Sequence, residues 1–167
     1  MTLSFAADGS RGSLLSWAVD EQFASIRAHC AACGVTNVQP PVAVDAAASD
    51  WSDAIESRRF DMMFVSKLLH IAPWAVTAGL LAGAARVLAP HGRLFIYGTF
   101  TVDRKHSAQR NTDFDQRLQS NNSEWGVRDA SAIAALAKAE HGLSLIAREE
   151  MPDDDLMLVF ERSIAAG

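Results

Sequence analysis

The sequence predicts an α/β fold, a mostly parallel sheet that ends in an antiparallel hairpin, and three observations carry that reading. Two apolar runs of strand length, FDMMFVS (Phe60 to Ser66) and RLFIYG (Arg93 to Gly98), suit a sheet buried on both faces. Between them Trp74, Thr77, Leu80, Leu81, Ala84, Val87 and Leu88 recur at intervals of three and four, the period of an amphipathic helix. Near the end, LSLIAREE and LMLVFER are separated only by the polar MPDDD, a connection that fits antiparallel neighbours. A chain of 167 residues and 18.0 kDa has room for one domain, 1–167.

Taken in order, TLSFAADG reads as a first strand and LLSWAVD as a second, with only GSRGS between them. A parallel connection needs a crossover of about a dozen residues. The first βαβ crossover is therefore expected to be missing or altered, with 1–19 forming an altered hairpin or remnant. From Asp20 to Cys33 the pattern is helical and Gly34 stops it. Phe23, Ile26, Cys30 and Cys33 follow helical spacing, which places both thiols on a buried face. A short strand follows, then Pro40 and Pro41 lead into VAVD, ending on Asp45, and DWSDAIES reads as a short helix. Pro73 suits a first helical turn, and Pro90 and Gly92 end the central helix. Gly79 and Gly83 cost it about 1 kcal/mol each relative to Ala but allow close approach to a sheet. Residues 101–128 form a long polar, irregular stretch, expected to be a lid. Asp129 then caps a helix carrying Ile133, Leu136 and Ala137 and closed by Gly142.

Composition narrows the function classes. A net charge of −5 and a pI near 5.4, with basic residues scattered, exclude a general nucleic-acid binder. No apolar run reaches the roughly 18 residues that span a bilayer, and the opening MTLSFAADGS has no basic, then apolar, leader pattern. The expectation is a soluble cytoplasmic protein. C-x-x-C in RAHCAACG invites a metal or redox reading, but a zinc site needs about four ligands and no second Cys pair exists, so no metal site is expected.

In open α/β sheets ligands sit beyond the carboxyl ends of the parallel strands, which selects Asp45, Ser66 to His70, and Tyr97 to Phe100. His70 either takes a proton from an attacking hydroxyl or amine, or caps the next helix or fixes its loop through a backbone carbonyl. Tyr97 either reaches the pocket mouth as a catalytic hydroxyl or anchors its strand. Trp125 and Arg128, in EWGVRD, either close over a substrate, Arg128 pairing a carboxylate, or serve the core and a local acid. His106 reads as a solvated loop residue and Asp153 to Asp155 as a turn. Neither G-x-S-x-G nor H-E-x-x-H occurs.

The segments LLHIAPWAVTAGLLAGAARVLAPHGRLFIYGTF, FDQRLQSNNSEWGVRD and HGLSLIAREEMPDDDLMLVF, with their H-I-x-P-W, Y-G-x-F and W-G-x-R-D combinations, resemble the DUF938 family of methyltransferase-like proteins, which includes methyltransferase-like protein 26. The likeness runs from about Asp20 to Arg162. It implies a Rossmann-like class I methyltransferase sheet of seven strands and S-adenosylmethionine as cofactor. It places Asp45 near adenine, Asp20 near the ribose hydroxyls, Ser66 in the cofactor pocket and Lys67 at the substrate, with Gly9 and Gly12 as what is left of the glycine loop. Relatives tend to have Asn at Lys67 and Pro at Thr99. A lost helix behind the glycine loop bares apolar sheet surface, so a homodimer is expected. Three functions follow: methyl transfer to a small molecule, other acid–base chemistry on the same scaffold after loss of the donor site, or a noncatalytic dimeric binding protein.

Overall fold

The computed structural model describes residues 2–6, 14–17, 20–34, 36–48, 50 and 59–163, of which 2–6, 14–17 and 20–22 are described as main chain. The predicted short helix at DWSDAIES lies, apart from Asp50, outside the described residues.

Strands β1 (Thr2–Ala6) and β2 (Leu14–Trp17) precede α1 (Asp20–Ala32). Then come β3 (Phe60–Ser66), a 3₁₀ turn at Leu69–Ile71, α2 (Trp74–Val87), β4 (Leu88–Gly98) and β5 (Phe100–Thr101). Helix α3 (Gln109–Asn121), β6 (Arg128–Asp129), α4 (Ala130–His141), β7 (Leu143–Met151) and β8 (Asp155–Arg162) complete the order. The main sheet has six strands in the order β2-β1-β3-β4-β8-β7, and β5 pairs with β6 beside it. Among its strands β2, β3, β4 and β7 run one way and β1 and β8 the other, with β3 and β4 the parallel neighbours. This is the mixed α/β sheet that the apolar runs and the terminal hairpin predict.

The front of the sheet has the altered form. β1 pairs antiparallel with β2, Leu3 opposite Trp17 and Ala6 opposite Leu14, and also antiparallel with β3. A hairpin takes the place of the usual first crossover, because the connection is too short to return a parallel strand.

One face of the sheet makes the core. Met63, Val65, Leu94, Ile96, Leu158 and Phe160 are fully or almost fully buried, and the register sets them side by side across β3, β4 and β8. Helices α2 and α4 cover this face with Leu80, Leu81, Ala84, Ile133 and Ala137. Asp129 caps α4 by accepting from Ala132 N at 3.0 Å, and Gly142 ends it in the left-handed region at φ 63°. The other face is only partly covered: Met62 is 38% exposed, and Phe64, Phe95 and Met157 are half-buried.

Several expectations are corrected. Cys33 is exposed and Cys30 only partly buried, so the thiols do not share a buried face; the small, weakly apolar stripe of α1 gives it little to bury. Residues 36–48 hold isolated bridges at Val38 and Val42 instead of a strand. Gly79 admits the turn at Ala46–Ala47, not the sheet: a Cβ there would lie 2.3 Å from Ala47 O. β4 begins at Leu88, earlier than RLFIYG, and a register shift between Phe60 and Met62 accommodates residues 89–92. The predicted irregular stretch contains a 13-residue helix, α3. Its apolar spacing is sparse, Phe114 to Leu118, and side-chain bonds one turn apart help hold it, Gln109 to Asp113 at 2.9 Å and Gln119 to Asp115 at 3.0 Å.

Candidate functional site

β3 and β4 are parallel, so their carboxyl ends lie together, Ser66 beside Tyr97. β8 is antiparallel to β4, so its first residue arrives at the same end, with Gly98 opposite Leu156. That geometry brings Asp155 to Lys67 and Thr99. Asp155 has 2% of its side chain exposed. Its carboxylate accepts from Lys67 Nζ, from Thr99 Oγ1 at 2.6 Å, and from the Tyr97 hydroxyl. Burial alone would raise its pKa, but these three donors outweigh that cost and hold it below the ordinary carboxylate value. The bond to Asp155 in turn raises the Tyr97 phenol above its ordinary value, so the hydroxyl stays protonated and acts as a donor. The turn reading of Asp153 to Asp155 holds for the first two residues; Asp155 is the buried centre of a polar network.

Lys67 sits in the left-handed region at φ 53°, a conformation that costs a non-glycine residue free energy and is kept only where surroundings enforce it. Two bonds do so here. Its N–H donates to Tyr97 O at 2.8 Å, and its ammonium reaches Asp155 while lying 5.0 Å from the Tyr97 ring centroid.

Helix α3 closes over this end of the sheet. Arg110 pairs with Asp153 at 3.4 Å and Asp154 at 2.8 Å, and the buried Asn111 donates to Asp154 O at 3.2 Å. Between α3, the β7–β8 turn and the ends of β3 and β4 lies an open pocket of about 250 Å³. Lys67, Thr99, Phe114 and Asp155 are among its lining. His70 is not among its lining residues: it is 7% exposed, and its ring meets Phe114 edge-on at 5.2 Å. Burial, then Lys67, lowers its pKa, so the imidazole is neutral at neutral pH.

The loop beyond α3 is organised by two residues. Asp115 accepts from Val127 N at 2.8 Å and from Gln119, and lies 3.4 Å from His106 Nε2. His106 is thus a partly buried partner of Asp115, not a solvated loop residue. Arg128 donates to the carbonyls of Leu69 at 3.1 Å, Ala72, and Glu124 at 2.6 Å, which fixes the turn bearing His70. The His70 carbonyl also accepts from Gly126 N at 3.0 Å. Trp125 is half-buried.

The sequence-selected residues therefore divide. Ser66, Lys67 and Tyr97 come together at the strand ends, and His70 lies behind Phe114. Asp45 is exposed on the turn packed against Gly79, its carboxylate accepting from Ala47 N at 2.9 Å. Asp20 begins α1, with its side chain outside the described residues, as are Gly9 and Gly12. The described ends of the connection carrying those glycines, Ala6 and Leu14, pair beside Met62, at the opposite end of β3 from Ser66. Asp155 was missed as a site residue because its partners Lys67 and Thr99 lie 88 and 56 positions away; the one local signal was an apolar run that begins directly on an acid.

Among the described residues no cluster of three or more His, Cys, Asp or Glu is placed to hold a metal ion, and no helix is long and apolar enough to cross a membrane.

The fold has solved counterparts. An O-methyltransferase family protein from Burkholderia thailandensis superimposes with a TM-score of 0.73 at 17% identity, over 89% of this chain and 43% of that one. Mitomycin 7-O-methyltransferase MmcR gives 0.72 at 15%, over 88% and 41%. LepI, solved as a complex with SAM, gives 0.72 at 15%, over 93% and 37%. The chain spans less than half the length of each, and the likeness is one of fold: a Rossmann-like, methyltransferase-like sheet. The sequence profile of DUF938, a family described as proteins of unknown function, matches residues 10–162, and the chain belongs to that family.

Proposed function

We propose that this chain binds S-adenosylmethionine and transfers its methyl group to a small molecule. The observation that carries the reading is the pair of parallel strand ends, Ser66–Lys67 beside Tyr97–Thr99, opening on a polar pocket in a sheet of methyltransferase shape. Proteins of that shape have been solved with SAM or SAH bound.

In this reading Asp45 serves the adenosine half of such a donor. Asp45 presents an exposed carboxylate fixed by its own turn, suited to accept from ribose hydroxyls or the adenine amine. The donor would supply an electrophilic methyl carbon; the chain's part is to align the acceptor and keep water out. In that role Lys67 and Tyr97 point acceptor atoms toward the strand ends, and Asp155, saturated by its donors, holds both in place. Calorimetric titration with S-adenosylmethionine and S-adenosylhomocysteine tests this. Micromolar binding, weakened at least tenfold by Asp45→Ala, supports the reading; no heat at millimolar ligand refutes it.

A second copy of the chain is our reading of what covers the sheet face that exposes Met62. The charges beside it, Arg93 and Glu161 at 3.2 Å, suit a self-complementary contact. Light scattering that gives a monomer at micromolar protein refutes the dimer.

A further inference from the structure

Three cationic side chains border the open pocket: Lys67 after β3, and Arg110 and Arg117 on α3. Arg110, Phe114 and Arg117 follow i, i+4, i+7 spacing, so they share one face of the helix with the aromatic ring between the two guanidinium groups. Two of the cations are already matched, Lys67 by Asp155 and Arg110 by Asp153 and Asp154. Arg117 is exposed and, among the described residues, forms no ion pair. It makes no ion pair with Asp155, whose carboxylate is held by Lys67, Thr99 and Tyr97. With Lys67 held by Asp155, and Arg110 by Asp153 and Asp154, Arg117 is the one cation of the lining that no carboxylate matches among the described residues.

Size and shape narrow the ligand further. About 250 Å³, below the roughly 300–1,000 Å³ of sites for drug-sized molecules, suits an occupant that seats about one substituted ring. A planar guanidinium forks onto a carboxylate, and Phe114 offers an aromatic surface within one turn of it. We propose that this pocket binds a small aromatic monocarboxylate, its carboxylate on Arg117 and its ring against Phe114. The inference rests on the methyl-transfer reading only in naming that ligand as the acceptor.

The test is a titration of the purified chain, without any donor, with benzoate and with benzamide, its neutral isostere. Benzoate is expected to bind at least tenfold more tightly. Arg117→Gln is expected to remove that preference, whereas Arg148→Gln, exposed on β7 and outside the pocket lining, retains it. Arg117 is exposed, and an unchanged thermal midpoint shows that its variant folds. Equal binding of the two probes, or a preference that survives Arg117→Gln, overturns the proposal. A benzoate preference with no S-adenosylmethionine heat retires methyl transfer and leaves the pocket standing. Donor binding without the preference retires the pocket alone.

Discussion

Replacing Asp155 with alanine removes one carboxylate and strands three donors, and their exposures set the cost. Thr99, at 6% exposure, loses its acceptor where water does not easily replace it, a loss of about 1–3 kcal/mol. Lys67 has 45% of its side chain exposed and rehydrates, so its share is about 1 kcal/mol or less. Tyr97 is partly exposed and adds about 0.5–1 kcal/mol. The expected total is about 3 kcal/mol, which for a chain of this length lowers the thermal midpoint by roughly 6–12 °C. Asp155→Asn keeps an acceptor for Thr99 and is expected to lose about half as much. Urea unfolding at constant m-value measures both. The pH dependence gives an independent check. Because the folded pKa of Asp155 is below 3.8, its contribution is fully present above that value and fades as pH falls through the folded pKa. The gap between wild type and Asp155→Ala should therefore be constant at neutral and mildly acidic pH and close only below pH 3.8. A neutral-pH difference under about 0.5 kcal/mol, the range of ordinary surface changes, refutes the network.

Three further outcomes follow from the same geometry. Lys67→Gly and Lys67→Ala both lose the ion pair, but only alanine keeps the backbone penalty at φ 53°, so the glycine variant should be more stable by about 1 kcal/mol; the opposite order in urea unfolding would exclude a left-handed Lys67. Gly79→Ala sets a Cβ against the Ala46–Ala47 backbone and should cost about 1–3 kcal/mol by displacing the turn that carries Asp45, whereas a neutral change would show that α2 does not seat that turn. His70 has a folded pKa below 6.5, so its charged form is penalised in the native state and stability should rise with pH through the window between that folded pKa and 6.5, then level off. Urea midpoints measured across the window check this, and a slope retained in His70→Phe assigns it to another group.

The sequence by itself determined the elements whose cues are local. The apolar runs within β3 and β4, the Asp129 cap and Gly142 stop of α4, and the short polar turn between β7 and β8 each specify a conformation within about a dozen residues. Because sheet ligands sit at carboxyl strand ends, the same local reading also selected Ser66, Lys67 and Tyr97, which the parallel register brings together. It misjudged α3, where polar residues outnumber apolar ones and the apolar period is too sparse to read. It also misjudged the thiols of α1, because helical spacing says which residues share a face but not whether anything covers it. Tertiary structure alone decided the rest. The antiparallel return of β8 delivers Asp155 to Lys67 across 88 positions, and it is that carboxylate which makes a half-exposed lysine in a strained backbone tolerable. Arg128, for which the sequence left open a substrate clamp or a pairing with a local acid, is turned by the fold onto the carbonyls of Leu69, Ala72 and Glu124. A guanidinium satisfies whatever acceptors packing brings to it, and which acceptors those are is settled by contacts between distant segments, not by neighbours in the chain.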